Sequence, residues 1–143
     1  MKKLDNFSNS LTELKNADFQ LAYDNAIYRM GVIGQFNLTF ELAWKALQAV
    51  LHLHGSVEAL AGSPKEILQL GYRMGFINDE AAWLMMLRKR NVSVHIYSEQ
   101  AADELLLLIR DSFTSAFEAL EKTLREKINT DSDEPIEALQ TPQ

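Results

Sequence analysis

The stretch AIYRMGVIGQFNLTFELAWKALQAVLHLH, residues 26–54, decides the fold. Ile33, Phe36, Phe40, Ala43, Leu47 and Val50 recur at intervals of three and four, which places them on one side of an α-helix. Gly55 follows as a C-terminal stop. Gly31 and Gly34 are poor helix residues, so a late start or a bend is predicted there. The same periodicity runs outward in both directions. Leu4 to about Tyr23 reads as a first helix, with Phe7, Leu11, Leu14 and Phe19 or Leu21 on one side.

Beyond Gly55, SPKE at 63–66 has the features of a helix start. Ser63 can cap, Pro64 suits the first helical position, and Glu66 can complete a capping box. This helix is predicted to end near Gly75. Asn78 is the expected cap of a fourth helix, DEAAWLMMLRKR, with Asp79 and Glu80 in its first turn and Arg88, Lys89 and Arg90 in its last. Both placements suit the helix dipole. Ser98 is the expected cap of a fifth, with the stripe Leu106, Ile109, Phe113, Phe117, Leu120, Leu124. No alternating strand pattern of useful length occurs. The predicted fold is all-α, an up-and-down bundle of four to five helices in one domain over residues 1–129. Residues 130–143 are acidic, contain proline and have few apolar side chains, and are predicted to be a disordered tail.

Composition narrows the function. The 143 residues are 47% hydrophobic, enough for one core without cross-links. With no cysteine, disulfides, thiolate metal sites and a cysteine nucleophile are excluded together. The net charge is −6, and Asp131, Asp133, Glu134 and Glu137 carry four of those charges, leaving −2 on residues 1–129. Such a body is no general nucleic-acid binder, which would present a broad basic face. The N-terminus is polar and amphipathic, and ADELLLLIRD (102–111) is too short to cross a bilayer. A soluble, cytoplasmic protein without membrane association is expected.

Several chemistries fail on spacing. No Glu-x-x-His pair exists for a bundle di-metal site. His52 and His54 lie two apart, about 200° around a helix, and are expected to be exposed at a helix end. No phosphate-binding glycine loop occurs. Neither metal nor cofactor is expected, and any nucleotide transfer falls to another chain. In FNLTFELAWKAL (36–47), Glu41 and Lys45 form an ordinary i,i+4 pair and Trp44 is a core or interface anchor. The alternative for Glu41, Trp44 and Lys45 is a face toward a partner.

RKRNVSVHIY, residues 88–97, also has two readings. Three bases in a last turn can simply answer the helix dipole. Arg90 and His95 can also handle phosphate: imidazole titrates near ~6.5 and serves as a base, while the planar guanidinium binds phosphate bidentately. On a continuous helix these two side chains would point about 140° apart. They converge only if the helix breaks, for which Asn91 to Val94 is the expected place, or if two copies pool their residues across a twofold interface.

Three blocks carry a resemblance: RMGVIGQFNLTFELAWKAL (29–47), SPKEIL followed by GFINDEAAWLMML, and RNVSVHIY (90–97). Together the sequence resembles the HEPN superfamily, and within it the nucleotidyltransferase substrate-binding family. The resemblance implies a bundle like the C-terminal domain of antibiotic nucleotidyltransferases, a separate minimal nucleotidyltransferase as partner, and a homodimer or higher homo-oligomer. Some such pairs act as toxin and antitoxin. The implied function is a helical substrate-binding subunit of a two-component nucleotidyltransferase. The alternative is a metal-independent ribonuclease toxin, acting on RNA, with Arg90 and His95 catalytic, Asn91 beside them, Arg88 in the basic patch and Tyr97 open to nucleotidylation by the partner.

Overall fold

The computed structural model describes the backbone of residues 1–93 and 98–140, and side chains over 1–92 and 98–129. Seven α segments follow one another: α1 (Lys2–Lys15), α2 (Phe19–Asp24), α3 (Ala26–Leu53), α4 (Pro64–Arg73), α5 (Glu80–Ser93), α6 (Glu99–Leu108) and α7 (Thr114–Gln140). A single π turn, Ile109–Phe113, joins α6 to α7, so the two form one long rod. The described residues contain no strand. The fold is an all-α bundle, as the periodicity predicts.

α3 is the central helix. Its six stripe residues are all buried, and it packs against α1, α2, α4, α5, α6 and α7. An aromatic ladder ties four of these elements together. Phe36 stacks on Phe113 at 5.4 Å, Phe7 and Trp83 meet Phe117 edge-on at 6.0 and 5.5 Å, and Phe40 lies 6.2 Å from Trp83. A polar stitch crosses the α1–α3 seam. Ser10 and Thr39 share a buried 2.7 Å hydroxyl hydrogen bond, and Gln35 donates to Ser10.

Helix ends follow local chemistry. Ser63 and Glu66 form a full capping box on α4. α3 and α4 both stop at a glycine in the left-handed region, Gly55 at φ +88° and Gly75 at φ +79°, where a side chain would be strained. The amides of Ser56 and Phe76 close back on Leu51 and Gly71, satisfying carbonyls left open at each end.

Five expectations need correction. The first helix is two: α1 stops at Lys15, and Asp18 caps a new start by accepting from the Leu21 amide. α3 begins at Ala26, the expected start of its stretch, and runs through Gly31 and Gly34 as one helix in place of the late start those glycines suggest, because Asn25 caps it through the Tyr28 amide. The cap of α5 is Asp79, whose carboxylate accepts from the Ala82 amide, and not Asn78. His54 is half-buried, with its ring edge-on to Phe76 and Nε2 3.3 Å from the Lys127 carbonyl. α7 continues to Gln140, past the end expected at Asn129.

Candidate functional site

The structure brings two distant blocks together where α5 crosses α3. Trp83 and Met86 of α5 are buried against α3, with Phe40 beside Trp83. One further step along the same face of α5 is Arg90, which thereby reaches the rim of the core. Its guanidinium Nη2 pairs with Glu41 Oε2 of α3. Nη1 donates to Asn91 Oδ1 at 3.1 Å. The guanidinium carbon stands 6.0 Å from the centre of the Phe40 ring, within cation–π range.

Glu41 serves two cations, because its other oxygen lies 3.4 Å from Lys45 Nζ. The Arg90 and Glu41 side chains are 31% and 28% exposed, so the pair is neither buried nor freely solvated. Partial burial disfavours the Glu41 carboxylate, but the Trp44 indole, Arg90 and Lys45 together outweigh it and hold the carboxyl below the usual glutamate range. Trp44 Nε1 is buried with no hydrogen-bond partner among the described residues.

Glu41, Trp44, Lys45, Arg90 and Asn91 therefore share one place. Arg88 does not join them. It is exposed, about 200° around α5 from Arg90, and makes no ion pair with the cluster among the described residues. His95 and Tyr97 lie outside the described residues. Of the break expected at Asn91 to Val94, Asn91 to Ser93 are helical and Val94 lies outside the described residues. α5 stays helical through Ser93, and Ser98 caps α6 through the Ala101 amide.

Sequence reading missed two contributions. Phe40 is the floor under Arg90 as well as a core residue. Arg29 is buried, donating from Nε and Nη2 to the Ala22 and Tyr23 carbonyls at 3.0 and 2.9 Å, with Asp103 at 3.9 Å. It pins the end of α2 to α3 and α6. Its phase was a usable signal, since 29, 33, 36 and 40 fall on one helical face.

The described residues hold no group of three or more His, Asp or Glu placed to bind a metal ion. No helix among them is long and apolar enough to cross a membrane. The cluster consists of two cations, one carboxylate and an aromatic floor, with one net positive charge.

Comparison with known proteins identifies a family. A family described as nucleotidyltransferase substrate binding protein like matches residues 2–126. The chain belongs to this family. The match takes in all of α1 to α6, so the substrate-binding-protein-like bundle and the Glu41–Arg90 crossing lie within one family unit. A crystal structure of a Thermus thermophilus protein is similar, with TM-score 0.69 and 30% identity over 83% of this chain and 98% of that one. No curated protein matches the chain.

Proposed function

We propose that this protein is the helical, cytoplasmic substrate-binding subunit of a two-component nucleotidyltransferase whose catalytic chain is a separate minimal nucleotidyltransferase. The observation that carries this reading is the family match over residues 2–126. The chain's own part is to dock on the catalytic subunit and present the group to be modified. Glu41, Trp44 and Lys45, at the rim of α3, are the proposed contact residues, and the subunit is proposed to be a homodimer or higher homo-oligomer. Co-expression with the cognate nucleotidyltransferase tests it. A complex that survives gel filtration at low micromolar concentration is expected. Separate elution of the two chains at that concentration would remove the reading.

A second reading is supported by one further observation, the seating of Arg90 beside Asn91 at the end of α5. In it the chain is a HEPN-type, metal-independent ribonuclease and the toxin of a toxin–antitoxin pair. His95 takes the proton of an RNA 2′-hydroxyl, and the 2′-oxygen attacks the adjacent phosphorus. Arg90 holds the phosphate while the 5′-oxygen leaves with a proton from water, a 2′,3′-cyclic phosphate remains, and the His95 imidazolium returns its proton to solvent. Nucleotidylation of Tyr97 by the partner switches the site off. Incubation with RNA in excess chelator separates the readings. Cleavage by wild type but not by His95→Ala supports the ribonuclease. Absence of cleavage by both sinks it and leaves the subunit role untouched.

A further inference from the structure

We infer that the Glu41 carboxylate fills an anion seat, between Lys45 and Arg90, that is built for the phosphate group of a ligand. The inference rests on the reading of Arg90 as a phosphate-holding residue and adds a gate to it. Each oxygen of Glu41 faces a different cation, Oε1 toward Lys45 Nζ at 3.4 Å and Oε2 toward Arg90 Nη2. A phosphate presents the same acceptors to the same two groups, with oxygens to spare. A further donor stands three residues along α3 from Glu41, on the same side of the helix: the Trp44 indole N–H, buried with no hydrogen-bond partner among the described residues. The face of Phe40 closes the seat beneath the guanidinium.

The occupant can leave. Glu41 stands on the rim with its side chain 28% exposed, and Lys45 is 46% exposed, so a change of rotamer takes the carboxylate to solvent without opening the core. While Glu41 is in place the three charged groups sum to one positive charge. Once it swings away, two cations face the ligand over an aromatic floor. Glu41 is thus a positioning residue with two effects. It holds Arg90 at the crossing in the free chain, and it makes any incoming anion compete for the seat. Weak anions are turned away, and a phosphate on a ligand with further contacts displaces it.

The test uses the full-length chain and phenylglyoxal, which modifies guanidinium groups, read arginine by arginine by peptide mass spectrometry. Exposed Arg88 is the internal reference. Glu41→Gln is expected to raise the Arg90 rate about two- to fivefold, the size of a half-exposed pair's coupling, and to leave Arg88 unchanged. Glu41→Asp, which keeps the charge, is expected to stay near wild type. Inorganic phosphate is expected to protect Arg90 in Glu41→Gln at a concentration several-fold lower than in wild type, and Lys45→Ala is expected to remove that gain. Equal Arg90 rates in wild type and Glu41→Gln, or equal protection by phosphate, overturn the gate. A short RNA and ATP as competitors then identify the source of the phosphate. Protection by ATP and not by RNA keeps the gate and removes the ribonuclease reading. Protection by RNA keeps both.

Discussion

Trp44→Phe has a sign that can be worked out from the structure. The indole Nε1 is buried with no hydrogen-bond partner among the described residues, while the ring as a whole is only partly buried. The substitution deletes the N–H and part of the ring. Losing a few tens of Å² of apolar contact costs about 0.5–1 kcal/mol. Removing an unpaired buried donor contributes about 1–3 kcal/mol in the other direction. The expected net effect runs from near zero to stabilisation by about 2.5 kcal/mol. If the indole instead donated a full hydrogen bond to the Glu41 carboxylate, the same change would cost about 1.5–3 kcal/mol. Urea unfolding followed by far-UV circular dichroism reads the difference, with Trp83, the second of two tryptophans, as fluorescence reporter. In a Glu41→Gln background the stabilisation should be slightly larger, by up to about 0.5 kcal/mol, because the indole's pull on the carboxylate is then absent as well. A loss of more than about 1 kcal/mol in the wild-type background, shrinking in the Glu41→Gln one, would refute the reasoning.

Phe36→Ala empties the middle of the aromatic ladder, where Phe36 is fully buried between Phe113 and Phe117; urea melts should show a loss of about 3–5 kcal/mol with an unchanged m-value. Ser63→Ala removes one half of the capping box on α4 and should cost about 1 kcal/mol by the same assay, with faster amide exchange confined to the first turn. The Glu41 carboxyl lies below its ordinary value of 4.5 in the folded chain. Its contribution to stability is therefore fully present above that value and is lost as pH falls through the depressed folded value. The stability difference between wild type and Glu41→Gln should narrow on acidification below about pH 4.5, read by melts across the pH series. A difference that widens on acidification would contradict the assigned direction.

Different physics decides which parts of this molecule can be read locally. A helix that buries one face must repeat its apolar residues at 3.6, so the stripe from Ile33 to Val50 and that from Leu106 to Leu124 were legible before any coordinates. Gly55, Gly75 and the Ser63–Glu66 box were legible because each solves a problem confined to a few backbone groups. The break between α1 and α2 was obscured because Phe19 continues the apolar run, although Asp18 already offered a capping carboxylate. At the start of α5 the sequence offers two adjacent capping residues, and only backbone geometry selects Asp79 over Asn78. The site is harder still. Lys45 gives Glu41 a sufficient local partner four residues away, so nothing in the α3 pattern asks for Arg90, 49 residues on. Arg90 in turn is explained locally by the dipole of α5. Their meeting depends on how α5 crosses α3, which Trp83, Met86 and Phe40 set by packing. A crossing angle leaves no period in either helix. The two blocks could be linked before the structure only because both belong to one family resemblance, and that resemblance does not show that Glu41 stands between the two cations. Geometry supplies that placement: one oxygen of Glu41 faces Lys45 on its own helix and the other faces Arg90 on α5.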